Sequence, residues 1–300
     1  MTVDRLGWIL ALFAEVSLSV TSPLTRVAVL AGMNPTTLVL ARLWIASVLL
    51  VSTIALTDPS QFKMDRRGLI LCCIAGLANS VSMLCFAWSL TRLNASISMM
   101  ISSTTPLVVL GMLALRGERF THRDIARLVL GLGGVYLLIG PGGEVDVLGI
   151  ILVTISVFTF SIQIVIAQWF LKSYDARRVA LYIVLTMTII ISSWWTVQGV
   201  GWHSPELAGW LAVGVLAVVC TYLARLAFYA AVARIGGGQT SLFAPLRILL
   251  AVTWSILFLH ERLTAIQWLG SGLILTSALL AIERLGLMRR HLRWRAGMRP

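Results

Sequence analysis

Acidic side chains are scarce in this sequence. Asp and Glu number 12 against 24 Lys plus Arg, and charged residues make up 12% of the 300, about half the share of a soluble domain. A globule of this length with so thin a charged coat would not stay dispersed in water. Cysteine is nearly absent as well. Cys72, Cys73, Cys85 and Cys220 all fall inside apolar runs, which argues against a disulfide framework and reads as small buried hydrophobes. His122, His203, His260 and His291 stand near segment ends or in the tail. No Cys/His pair has ligand spacing, and neither H-E-x-x-H nor G-x-x-x-x-G-K occurs, so the residues offer no metal centre and no ATP-hydrolysing loop. Paired carboxylates and nucleophile–base spacings are also missing, which disfavours a membrane enzyme. No cofactor is expected.

What the chain has instead is hydrocarbon. Hydrophobic residues make up 58% and the mean hydropathy is +0.91, the signature of an integral membrane protein rather than a soluble fold. A spanning helix needs about 20 mostly apolar residues. Residues 68–90, 95–115, 147–171, 179–198 and 263–282 meet this without any charge, and 6–29, 35–56, 207–233 and 239–259 meet it with one or two embedded charges. Residues 125–140 form a shorter tenth run with Arg127 at its entry, placed to snorkel. The first run is long, is interrupted by Glu15 and lacks a small-residue cleavage site, so it is expected to stay as a span rather than leave as a signal peptide. The expected fold is all-α, with ten transmembrane helices and no separate soluble domain.

Basic residues orient these spans. With the N-terminus inside, 18 of the 24 Lys and Arg fall on the cytoplasmic side, only Arg92 and Arg262 fall outside, and Arg26, Arg42, Arg225 and Arg247 lie within spans. That is the positive-inside asymmetry. The formal net charge of +12 is therefore read as a topology signal, with both termini cytoplasmic and no nucleic-acid partner. Residues 284–300 form a basic tail, including Arg289, Arg290, Arg293 and Arg295, expected to lie on anionic lipid headgroups.

The chain also repeats itself. Thr91-Arg92-Leu93-Asn94 precedes the fourth run and Ala233-Arg234-Ile235-Gly236 the ninth. Gly117-Glu118-Arg119-Phe120-Thr121 follows the fourth, and His260-Glu261-Arg262-Leu263-Thr264 follows the ninth. The repeats are 6–140 and 147–283. Five helices per half is an odd number, so the halves are expected to insert in opposite orientation, an architecture that places substrate sites near the midplane.

The Glu-Arg-hydrophobe-Thr element, with Pro35 and Arg42-Leu43-Trp44-Ile45-Ala46 in the second run, resembles the EamA family of the drug/metabolite transporter superfamily. The family often has a Trp-Gly or Trp-Ser pair early in helix one, where this chain reads Ala14-Glu15. The resemblance implies a multi-pass transporter of the bacterial cytoplasmic (inner) membrane, monomer or homodimer, exporting amino acids, drugs or other small metabolites. It leaves the cargo open.

Charge within a span costs roughly 2.5–3.5 kcal/mol at a helix centre, so it faces protein, water or a partner. Glu15, Ser19, Ser22 and Arg26 share one face of the first helix and are expected to line a cavity. Two readings stand for Glu15: a group that carries protons or takes a substrate amine, or a fixed ion pair with Arg42 or another helix. Arg26 is expected to snorkel outward. Tyr222, Arg225 and Tyr229 share a face of the eighth helix, and Arg247 lies inside the ninth. Together they fit a substrate carboxylate or phosphate, against the alternative of snorkelling to the cytoplasmic surface. Weaker polar faces are Ser156, Phe160 and Gln163, Ser98, Ser102 and Thr105, and Asn79, Ser82 and Phe86, with helix packing as the competing role. Trp88 and Trp169 are read as interface anchors, with an aromatic cage as the alternative. Pro106 and Pro245 either loosen the fourth and ninth helices for rocking or only kink them.

The expected substrate-binding set is Arg247, Arg225, Tyr222, Asn79, Gln163, Ser102 and Phe160, with Glu15 and Arg42 as the coupling or ion-pair groups. The expected function is secondary transport of a small molecule by alternating access, an amino acid or related carboxylate being exported with protons as coupling ion. The alternative is a permease or facilitator of the same fold without proton coupling.

Overall fold

A computed structural model describes residues 5–102, 104–114, 126, 129–130, 133–134, 136–137, 146–171, 174–199, 207–235, 244–260, 263–273 and 275–276. Glu118, Glu261, Arg262, the tail 284–300 and most of the fifth expected span lie outside the described residues, as do the side chains of Pro106, Tyr229 and Pro245. Among the described residues every regular element is helical. Six segments among the described residues are long and apolar enough to cross a bilayer: Arg5–Leu30, Pro35–Thr57, Arg66–Ser89, Val147–Ala167, Arg177–Gln198 and Gly209–Phe228.

The first span is two helices, α1 (Arg5–Ser19) and α2 (Thr21–Leu30). They join at Val20 because Pro23 has no N–H to give the Ser19 carbonyl. The second and third spans are α3 (Pro35–Thr57) and α4 (Arg66–Ser89), with a single 3-10 turn, Pro59–Phe62, between them. The fourth is broken into α5 (Ala95–Ser102) and α6 (Thr105–Ala114). Pro106 cannot reach back to the Ser102 carbonyl, which accepts a hydrogen bond from the Thr105 hydroxyl instead (2.6 Å). The sixth and seventh are α7 (Val147–Phe170) and α8 (Ala176–Gln198). The eighth starts as α9 (Leu207–Val215), widens into a π-helical stretch, Leu216–Leu223, and resumes as α10 (Ala224–Ile235). The ninth expected span holds α11 (Ala244–Leu259), and residues 265–273 of the tenth expected span are helical.

Among the described residues the scarce acids sit mostly at helix starts. Asp65, Asp146 and Asp175 each accept from an amide of the first turn they precede, as Asn34 does for α3, which satisfies donors the helix leaves open. Asp146 also takes an ion pair from Arg92, in the connection that follows α4 (2.8 Å). The Arg92 hydrogen bond first, then the Gly149 and Leu148 amides, hold its carboxyl below the ordinary value of 3.8. A lowered carboxylate pKa stabilises the fold above the ordinary value and loses that effect as pH falls through the lowered one. Asp146→Ala is therefore expected to lower the melting temperature of detergent-solubilised protein at neutral pH. The gap from wild type should close in strong acid and narrow in high salt, since both partners are solvent-accessible. A gap that persists unchanged in acid would contradict this account.

The helices pack across the two halves of the chain. α4 lies along α7 and also meets α8. The first span lies along the eighth, α2 against α9 and α1 against α10. α3 meets α8 and the π stretch, while α11 touches α1, α2 and α5. Leu38, Leu43, Leu50, Leu181, Ile183, Met187, Ile191 and Leu216 form the buried centre where the second, seventh and eighth spans meet. Gly76 lets α4 and α8 approach: a Cβ there would lie 2.7 Å from Thr186 Cβ and 3.2 Å from the Ile183 carbonyl oxygen.

Candidate functional site

Glu15 lies in the last turns of α1, and its side chain is only 3% exposed. It faces Arg247, in the first turn of α11, with Oε2 3.6 Å from Nε. That distance makes an ion pair without a hydrogen bond, and both atoms are buried with no hydrogen-bond partner. One turn outward the same two helices are tied again, Trp254 Nε1 donating to Ser19 Oγ at 3.0 Å. Trp254 stacks on Phe258 with ring centroids 5.6 Å apart. The rest of the polar face of the first helix is also engaged. Ser22 Oγ donates to the Ala95 carbonyl and Arg26 to the Leu90 carbonyl. The face expected to line a cavity thus meets protein groups along its length. Arg26 caps the end of α4, whose last carbonyls point at the first span, rather than snorkelling free.

Arg42 is not the partner of Glu15. It is buried, and its Nε donates to Thr221 Oγ1. Thr221 donates in turn to the Leu216 carbonyl five residues back, at 2.8 Å, the spacing that keeps this stretch π-helical. The side chain of Arg42 follows the packing of α3 against the eighth span, so the ion pair expected with Glu15 is replaced by a hydroxyl acceptor. Next door, the hydroxyls of Tyr222 and Thr53 share a hydrogen bond. Arg225 is half-buried on the same helix and near enough to act on Arg42 as a like charge. The expected cluster of Arg225, Tyr222 and Arg247 is therefore divided. Arg247 belongs with the first helix, and Arg225 and Tyr222 with the second.

The remaining expected residues fall between the third, fourth and sixth spans. Asn79 is buried and its Nδ2 has no partner. Gln163 is half-buried, and its Oε1 is buried without a partner. Phe160 is half-buried one turn from Gln163. Ser82 ties α4 to α7 through Ser156, hydroxyl to hydroxyl at 3.0 Å. Ser102 donates back to the Ser98 carbonyl at 2.8 Å, a bond within its own helix, while Ser98 Oγ is buried and unpartnered. Trp88 Nε1 donates to Thr36 Oγ1 at 3.2 Å, and Trp169 meets Phe170 edge-on with centroids 6.3 Å apart.

Sequence reasoning missed a ladder between the second and seventh spans. Trp195 donates to Thr37 (3.0 Å), Trp44 to Ser192 (3.1 Å), and Ser47 pairs with Thr188 (2.7 Å). The signal was present, because Thr188, Ser192 and Trp195 stand at i, i+4 and i+7, and Thr37, Trp44 and Ser47 share a face. A cavity of about 480 Å³ opens beside this ladder, lined by Trp44, Ser47, Val51, Leu185, Thr188 and Ser192 among others. It includes none of the charged groups. Among the described residues no cluster of three His, Cys, Asp or Glu side chains is placed to hold a metal.

Comparison with known proteins follows the same outline. The profile of the "EamA-like transporter family" matches residues 5–140 and again 147–282. An "Uncharacterized transporter YvbV" of Bacillus subtilis (strain 168) is 29% identical over 177 residues, 55% of this chain and 55% of that protein. The alignment thus spans about half the length of that curated relative. A solved structure, titled "Crystal structure of protein", superposes with a TM-score of 0.66 at 17% identity, covering 95% of this chain and 98% of that one. At that identity the likeness concerns the fold.

Proposed function

Because the chain belongs to the EamA-like transporter family, we propose that it is a secondary transporter of small carboxylate-bearing metabolites whose central site is built on the Glu15–Arg247 pair. The observation that carries this reading is that pair. Two opposite charges are buried in the bilayer, 3.6 Å apart and short of a hydrogen bond. A salt bridge selected only for stability would close that gap, since a buried pair repays its desolvation only with good geometry. A loosely held pair is one that a ligand can open. In this reading Arg247 receives the substrate carboxylate, and Glu15 takes either a substrate amine, as an amino acid would offer, or a proton that releases the arginine. The buried polar atoms of Asn79 and Gln163, with Phe160 and Ser102 nearby on the sixth and fourth spans, supply the neutral part of the site.

Alternating access between two inverted halves is supported by the packing. Exchanging the halves turns the third–sixth pair into the eighth–first pair, and the third–seventh pair into the eighth–second pair. It also turns the fourth–sixth pair into the ninth–first pair, and all of these pairs occur. Export from the cytoplasm, with both termini inside and the basic tail on anionic lipid, completes the proposal.

The test is counterflow in proteoliposomes with a panel of labelled amino acids and simple carboxylates. Arg247→Ala is expected to lose carboxylate exchange at least about tenfold, the scale of a charged hydrogen bond. Glu15→Gln should keep exchange while losing its response to an imposed pH gradient. Normal transport in both variants would remove the site. Wild-type flux indifferent to the gradient would leave a facilitator.

A further inference from the structure

We infer that Arg42 and Arg225 form a second anion-binding site, separate from the Glu15–Arg247 pair, that takes a doubly charged oxyanion of the phosphate type. Four arginines lie within spans, and their surroundings differ sharply. Arg26 is met by a helix-end carbonyl and Arg247 by a carboxylate. Arg42 and Arg225 have neither among the described residues. Arg42 is 8% exposed, and its Nε hydrogen bond to Thr221 leaves both terminal nitrogens of the guanidinium without a protein acceptor among the described residues. Arg225 likewise has no acceptor among the described residues, and it stands one helical turn from Thr221, the residue that Arg42 bonds.

Two like charges held together inside a bilayer, with no acid beside them among the described residues, call for a counter-charge. A monovalent ion would leave one of them uncompensated, whereas a dianion balances both. The planar guanidinium fork matches the edge of an oxyanion. The hydroxyl of Thr221 stands beside Arg42 and adds a neutral polar group to the site. The π-helical stretch has a role here. The Thr221 hydroxyl gives its proton to the Leu216 carbonyl, which leaves its oxygen as a pure acceptor for Arg42. Thr221 therefore fixes the direction in which the free edge of that guanidinium points. This goes beyond the transport reading, because it concerns other residues and can be tested by binding alone.

The probe is inorganic phosphate, used at mildly alkaline pH, where its dianion predominates. It would be titrated calorimetrically into the purified full-length chain in neutral detergent, with acetate and chloride at matched ionic strength as comparators. Saturable phosphate binding at least about tenfold tighter than acetate is expected. Arg225→Gln should weaken it by about the same factor. Thr221→Val should weaken it too, by releasing Arg42 while leaving both charges in place, so the test does not rest on one variant. Adding phosphatidic acid, whose phosphomonoester headgroup can be doubly ionised as phosphate can, distinguishes the sources of the oxyanion: if it displaces phosphate, the natural occupant is a lipid headgroup phosphate, and if not, a free anion. Either result supports the site. Absence of saturable phosphate binding, or binding that survives both Arg225→Gln and Thr221→Val, would overturn it.

Discussion

Arg247→Ala is expected to destabilise the folded protein by about 3 kcal/mol, the scale associated with stranding one member of a buried ion pair. The mirror experiment should be milder. The Arg247 side chain is 31% exposed against 3% for Glu15, so an arginine left alone can turn its charge toward water, whereas a glutamate left alone cannot. Glu15→Gln is expected to cost about 1 kcal/mol, in the range of a lost ordinary polar contact. The double substitution, Arg247→Ala with Glu15→Gln, should recover part of the Arg247→Ala loss because no isolated charge remains. A double-mutant cycle by reversible unfolding in mixed micelles measures all three. Equal, small losses for the two single substitutions would show that Glu15 reaches solvent and that the pair is loose for a trivial reason.

Gly76→Val is expected to be the most damaging single apolar change in the described helices, at about 3 kcal/mol. A Cβ at this position meets Thr186 Cβ at 2.7 Å, Thr186 Cγ2 at 2.8 Å and the Ile183 carbonyl oxygen at 3.2 Å. None of these is the free end of a flexible side chain. The clash cannot be relieved by a rotamer change and must push α4 and α8 apart. Membrane helices bind chiefly through close packing of small residues, so the separation removes the contact itself. Gly76→Ala should show the same effect at about half the size, and pairing it with Thr186→Gly should restore stability. Thermal unfolding in detergent decides the matter; an unchanged melting temperature for Gly76→Ala would mean that the two helices are not in register as described.

Much of this arrangement could be read from residues alone. The apolar runs located the spans because bilayer thickness fixes their length, and the acids ahead of them, Asp65, Asp146 and Asp175, marked where three of them begin. The pair of residues Pro23 and Pro106 already held the breaks in the first and fourth spans, through the hydrogen bonds that proline cannot make. Partners were harder. Nothing in the order of residues says that Glu15 faces Arg247 rather than Arg42, because that choice depends on which helices become neighbours and how far each is rotated. The π-helical stretch was also hidden, since Thr221 looks like any other threonine in an apolar helix until Arg42 is placed beside it. The ladder of Thr37, Trp44 and Ser47 against Thr188, Ser192 and Trp195 was legible as two matching faces. It passes unnoticed when attention goes to charges.

That ladder has a consequence for how the protein is made. Ser47 and Thr188 are 141 residues apart, and Arg42 and Thr221 are 179 apart. At a synthesis rate of about 5–20 residues per second, the earlier member of such a pair waits roughly 7 to 36 seconds for the later one. Through that interval the nascent N-terminal half sits in the membrane with a guanidinium and several hydroxyls still lacking the groups that will receive them. Maturation therefore ends only when the seventh and eighth helices emerge. A ribosome stalled before them would leave an inserted but unsettled product, open to quality-control proteases.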